Sequence, residues 1–298
     1  MRYVIFIVLA LSLVACNRHE EPTTTRGDLF LLVSKSYVPL MTKEARLFMD
    51  EYNKTRVRME GTTAREAVVA LLNDSVQCIC INRPLNPEER KVAQDAGINV
   101  SSIRLGRDAL VLVVNAANPL KNIRLATIRR ILDKSITRWN EIPGSHLKGK
   151  VEVIYTEKNS GTYELLQQKF FDLKRELVPT MTGPTDTAIV QYIRGNPQAL
   201  GIVSFASVVD RPKGIRVLAV ESADSASAGT YVEPNQANIY EELYPLNYSL
   251  YLYLSEKKLG VGSGFATFVM TLMGQQVVQS YGLAPEIVPS RIIQLKSE

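Results

Sequence analysis

From Gly27 onward, short apolar runs alternate with stretches of helical periodicity, and few folds accommodate that rhythm. Asp28 to Val33 predicts a strand, Thr42 to Tyr52 a helix and Val57 to Glu60 a second strand. Ala67, Val68, Leu71 and Leu72 share one face of a helix over Arg65 to Asn73, and Gln77 to Ile81 reads as a buried strand. Asn86-Pro87-Glu88-Glu89 carries a cap, a proline at the first helical position and a glutamate at the third, and Gly97 ends that helix. A βαβαβα order builds a mostly parallel sheet with helices on both faces. Asp108 to Asn115 is a strong strand that opens a second α/β set. It continues with helices at Thr127 to Asp133, Tyr163 to Lys174 and Thr187 to Arg194, and strands at Val151 to Tyr155, Leu200 to Phe205 and Ile215 to Val220. Ser222 to Glu233 reads as a loop, Leu246 to Leu254 as a long alternating strand and Phe265 to Gln276 as the last helix. A chain of 298 residues holds two such lobes.

The N-terminus has its own logic. Met1-Arg2-Tyr3 precedes an almost wholly apolar run from Val4 to Val14, the layout of an export signal. The run falls short of the roughly 20 residues that a spanning helix needs. It ends Leu13-Val14-Ala15-Cys16, which resembles the lipobox of bacterial lipoproteins, with Cys16 as the acylated residue. Residues 1–15 are therefore expected to be a signal peptide and residues 16–27 a polar, lipidated tether. Cys78 and Cys80 alternate on one strand, roughly 6.5 Å apart. A relaxed disulfide needs Cβ atoms near 4 Å, so these two are read as small buried hydrophobes.

Three segments place hydroxyl or glycine residues just ahead of a helix: Ser34-Lys35-Ser36, Gly61-Thr62-Thr63 and Ser160-Gly161-Thr162. Helix starts leave main-chain N–H groups unpaired and carry partial positive charge. A tetrahedral oxyanion wants many short donors from several directions, which such starts supply. Thr63 with Glu66 also forms a capping box, so its hydroxyl has a local use. Asn82-Arg83 follows a buried strand, and Arg83 offers a forked cationic donor or a partner for Glu88 or Glu89.

Other chemistries find little support. Only two histidines exist, His19 in the tether and His146 in a loop, which argues against a Ser–His–acid enzyme. No His/Cys/Asp cluster has metal-ligand spacing, no nucleotide-binding glycine motif occurs, and no cofactor is expected. The net charge is +5 without a Lys/Arg block, so nucleic acid is not an expected partner. Tyr248, Tyr251 and Tyr253 read as packing residues, and Trp139 as an anchor on a lobe surface.

Several segments in one order resemble the substrate-binding proteins of high-affinity phosphate ABC importers, which are type II periplasmic binding proteins. The segments are Asn82-Arg83-Pro84-Leu85, the run Asp108 to Asn115 followed by Asn118-Pro119, and Ile136-Thr137 with Trp139-Asn140. Ser160-Gly161-Thr162, Leu200 to Ser204, Tyr244-Pro245-Leu246 and Gly274-Gln275-Gln276 complete the set. The resemblance implies an α/β, type II periplasmic-binding-protein fold, with two α/β lobes joined by two crossing strands. Residues 28–112 and 248–298 would form the first lobe and residues 113–247 the second. It implies a phosphate or similar oxyanion held by Lys35, Ser36, Thr62, Thr63, Asn82, Arg83, Ser160, Gly161 and Thr162. It further implies a monomeric, lipid-anchored envelope protein, not an enzyme, that delivers its ligand to an ABC importer permease. A sensor for another small anion, or a tethered scaffold without ligand, stays open. Where family members carry an Arg, this chain has Thr156; where some carry an acid, it has Asn82.

Overall fold

The structure, a computed structural model, describes residues 21–210, 212–224 and 229–287. The predicted signal peptide and Cys16 lie outside the described residues. In chain order the strands are β1 (Gly27–Ser34), β2 (Thr55–Thr62), β3 (Cys78–Ile81), β4 (Ser101–Asn115), β5 (Asn122–Ile123), β6 (Glu152–Thr156), β7 (Met181–Gly183), β8 (Ala199–Ser204), β9 (Ile215–Val217), β10 (Ala219–Glu221), β11 (Tyr231–Val232), β12 (Asn247–Leu254) and β13 (Ala284–Pro285). The α-helices are α1 (Val38–Glu51), α2 (Ala64–Leu72), α3 (Pro87–Asp95), α4 (Leu125–Leu132), α5 (Gly161–Phe171), α6 (Asp186–Gly195), α7 (Gln236–Tyr240), α8 (Val261–Val269) and α9 (Leu272–Ser280).

Strand β1 lies between β2 and β3 and runs parallel to both. Helices α1 and α2 make the crossovers, as parallel neighbours require. All four residues of β3 are buried because both faces of this sheet are covered. Cys78 and Cys80 enter the main core on one face, while Ile79 and Ile81 pack with Val68 and Leu71 of α2 on the other. Both thiols are free, and burial pushes their pKa values up, so they remain protonated packing groups.

Strand β12 inserts antiparallel between β3 and β4. Strand β4 is longer than the expected Asp108 to Asn115 because its first residues, from Ser101, pair along the whole of β12. From Leu110 to Val114 the same strand pairs with β8. Beyond β8 lie β6 and β7, both parallel to their neighbours. The order β2-β1-β3-β12-β4-β8-β6-β7 thus makes two α/β lobes that share β4. The chain returns beside this strand: Leu110 N–H donates to the Leu246 carbonyl at 2.9 Å, and the Tyr244 hydroxyl donates to the Leu110 carbonyl at 3.2 Å.

Several local expectations are corrected. Ile215 to Val220 is not one strand: β9 pairs with β4, and after Leu218 the chain changes sheets so that β10 pairs with β5 and β11. Part of the expected loop Ser222 to Glu233 is therefore β11. The last helix is two helices, because Thr271 caps α9 by accepting from Gly274 N–H. The Val269 backbone lies so close to Gly274 that a Cβ there would clash. Trp139 is fully buried, with its indole N–H donating to the Gln198 carbonyl at 3.0 Å; it is a core residue and not a surface anchor. Tyr248 packs at the lobe junction, where its hydroxyl lies 2.6 Å from that of Tyr37. Tyr37 in turn donates to Asp108 at 2.7 Å. Gln275 is also buried; its amide bonds the Leu105 and Val269 carbonyls and its Oε1 accepts from Glu286 and Ile287 N–H. On α1, Glu44 is buried with neither carboxylate oxygen hydrogen-bonded, and desolvation raises its pKa to about 9.

Candidate functional site

Parallel strands deliver their carboxyl ends to one side of a sheet, and the loops that follow meet there. In the first lobe, β1 ends at Ser34 and turns through Lys35–Tyr37, β2 ends at Thr62, and β3 is followed by Asn82. In the second lobe, β6 ends at Thr156 and α5 begins at Gly161. These ends face one another and enclose a single cavity. Lys35, Ser36, Thr62, Thr63, Asn82, Ser160, Gly161 and Thr162 all line it, so eight of the nine expected residues converge. Ser34, Ala64, Thr156, Glu157 and Pro184 complete its wall.

Hydroxyls and helix starts dominate this wall. Ser160 caps α5 by accepting from Tyr163 N–H at 3.2 Å, and Thr156 donates to the Ser160 hydroxyl at 2.8 Å. Thr156 thus holds the Ser160 hydroxyl from the end of β6. Gly161 abuts the Asn82 side chain: a Cβ on Gly161 would overlap that carboxamide. Only glycine lets the two lobes approach this closely here. Asn82 is buried and accepts from the Ser34 hydroxyl at 3.5 Å. On α2, Glu66 Oε2 accepts from Thr63 N–H at 3.1 Å and from the Thr62 and Thr63 hydroxyls at 2.5 and 2.9 Å. These donors, the Thr62 hydroxyl first, hold the Glu66 carboxyl below its ordinary pKa.

The charges are paired across the cleft. Lys35 Nζ of the first lobe donates to Glu157 Oε1 of the second at 2.6 Å. Both side chains are more than two-fifths exposed, which makes this a weak, screened contact. Arg83, the ninth residue expected to hold the ligand, is not in the lining of this cavity. Its guanidinium is buried and captured by carboxylates: Nη1 and Nη2 donate to Glu89 at 2.8 Å each, Nη1 also to the Pro84 carbonyl at 3.0 Å, and Nε is ion-paired with Glu164 of the second lobe. Such a forked grip fixes a guanidinium in place. The sequence reading also missed Glu157, although its place at the end of a parallel strand, three residues before Ser160, was a usable signal.

The cavity therefore offers several hydroxyls, the starts of α2 and α5, one carboxamide and a partnered lysine from two opposed walls. That set suits a small, multiply accepting guest such as a tetrahedral oxyanion.

Comparison with known proteins fits this architecture. A family model described as the PBP superfamily domain matches residues 19–271. Protein SphX of Synechococcus elongatus is 25% identical over 264 residues, covering 86% of this chain and 77% of that protein. The phosphate-binding protein PstS of Pseudomonas aeruginosa is 21% identical over 296 residues, covering 94% and 89% of the two chains. Among solved structures, a Clostridium perfringens protein crystallised with bound phosphate superposes with a TM-score of 0.75 at 21% identity, over 87% of this chain and 99% of the other. The last likeness shows the fold, a type II arrangement of two α/β lobes.

Proposed function

The chain belongs to the PBP superfamily, and from that premise we propose that it is an extracytoplasmic receptor that closes its two lobes on phosphate and passes it to an ABC importer. One observation carries the reading: hydroxyls and helix-start amides from both lobes line one cavity. The names of similar proteins add support, since phosphate-binding proteins from several bacteria align along most of this chain. Lys35, Ser36, Thr62, Thr63, Asn82, Ser160, Gly161 and Thr162 would hold the anion, with Ser34, Thr156 and Glu157 completing its surroundings. Residues 28–112 with 248–298 would move as one lobe and residues 113–247 as the other, with β4 and the return segment before β12 as the hinge. Cys16 would tether a monomeric receptor to the envelope surface through lipid.

A second reading is a receptor for another small anion. It is favoured by the low free charge of the cavity, where Lys35 is already paired with Glu157 and Asn82 is neutral.

Thermal unfolding in phosphate, sulfate and arsenate separates these. A ligand at one hundred times its Kd adds about 2.7 kcal/mol to stability by mass action. A rise in Tm with phosphate ahead of sulfate is expected. A rise with sulfate alone selects the second reading, and no rise with any of the three anions removes both.

A further inference from the structure

Arg83 stands directly after Asn82 in the cavity wall, yet it points away from the cavity into two carboxylates. Glu89 belongs to the same lobe and the same loop-helix unit, where its Oε2 also accepts from Asn86 N–H at 2.8 Å. Glu89 therefore holds the guanidinium ready whatever the second lobe does. Glu164 arrives from the other lobe, on α5, one turn after the Ser160-Gly161-Thr162 segment. The side chains of Arg83, Glu89 and Glu164 are only 4%, 14% and 15% exposed, so this contact is shielded where the Lys35–Glu157 contact is not. Beside it, Arg65 N–H of α2 donates across the cleft to the Asn159 carbonyl at 3.3 Å.

We propose that Arg83 is a positioning residue, a latch on which Glu164 docks when the lobes close, and that it holds Asn82 against Gly161 without touching the anion. The inference rests on the reading of the cleft as a closing oxyanion receptor. In the open state Glu89 keeps Arg83 paired, so the latch leaves no buried guanidinium without a counter-charge. On closure Glu164 gives up water and gains the guanidinium, an exchange that is favourable only at the closed spacing. Removing Glu164's charge should then leave association nearly intact and speed release.

The test uses the full-length chain in detergent, as wild type and as Glu164→Gln, Arg83→Gln and the double variant. Two readouts are taken: phosphate association and dissociation rates, and amide exchange at Arg65, whose hydrogen bond crosses the cleft. Exchange at Leu218 and Ser255 reports the folding of each lobe, through bonds to the Leu112 and Gln77 carbonyls. Glu164→Gln is expected to raise both the dissociation rate and Arg65 exchange about tenfold, with association unchanged. The double variant should do no more than Glu164→Gln. Arg83→Gln leaves two buried carboxylates together; if it does not fold, Glu164→Gln alone decides. Unchanged Arg65 exchange in Glu164→Gln overturns the latch. So does equal acceleration at Leu218 and Ser255, which would mark a general loss of stability. A wild type that binds no phosphate defeats the receptor reading, while the Arg65 exchange still decides the latch.

Discussion

At Gly161 the second lobe abuts the Asn82 side chain of the first, and nothing larger fits while Asn82 stays where it is. Alanine at the first position of a helix is intrinsically well tolerated. Gly161→Ala should therefore fold and melt like the wild type, yet fail to close. Overpacking of this kind costs about 1–3 kcal/mol, so phosphate affinity is expected to fall roughly 5- to 150-fold by calorimetry. An unaltered Kd would mean that the lobes close without the Asn82–Gly161 contact. At this scale the hydroxyls of the cavity were legible in the sequence, because each sits in a local pattern of strand end and helix start. The charges were not. Lys35 meets a partner 122 positions away, and Glu164 reaches Arg83 from the other lobe, so no spacing rule links them.

Among the elements, α2 and α3 were the easiest to read, and both begin with the complete capping box that their sequences advertise. Caps are local, so sequence carries them in full. The break between α8 and α9 was missed, since Met270-Thr271 lacks the proline or glycine that usually marks one. The first half of β4 was missed because its residues, Arg104, Gly106 and Arg107 among them, lack an apolar run and gain their order only from β12, far along the chain. The α2 box also occupies the hydroxyls of Thr62 and Thr63 at the cavity edge. Glu66→Ala should cost about 1 kcal/mol of stability through the lost cap, read as a lower urea midpoint. The same change removes a carboxylate beside the anion and frees two donors, so phosphate affinity is expected to rise. A fall in affinity would show that the paired hydroxyls are the productive arrangement.

Across the whole molecule, buried acids set how stability responds to pH. Burial raises Glu44 from its ordinary value near 4.5 to about 9, and Asp108 to about 6 despite donors from Tyr37, Ala109 and Ala206. A raised carboxyl keeps its proton in the folded chain when the unfolded chain has released it. Stability therefore falls as pH rises, from about 4 to 6 for Asp108 and from about 4.5 to 9 for Glu44. Glu44→Gln keeps the shape and the neutral state without that penalty. It should add about 4 kcal/mol at pH 7.5, about 1.4 kcal/mol for each pH unit above the ordinary value near 4.5, and flatten the slope of unfolding free energy above pH 6. An unchanged slope would mean that Glu44 finds a partner in solution. The two α/β sets were legible from their alternation, but the interrupted first lobe came only from the family resemblance.

The position of β12 has one more consequence, for the order in which the protein can be made. A chain that leaves a ribosome or an export channel N-terminus first presents β1, β2 and β3 early, but β3 waits for a neighbour encoded near residue 250. The middle of the chain, with β6 and β8 on the second half of β4, can assemble while that gap stands open. An unpaired strand edge invites pairing with other chains. A chain made in that order can complete its middle before its beginning, and one stopped ahead of Asn247 is expected to expose the β3 edge to other chains.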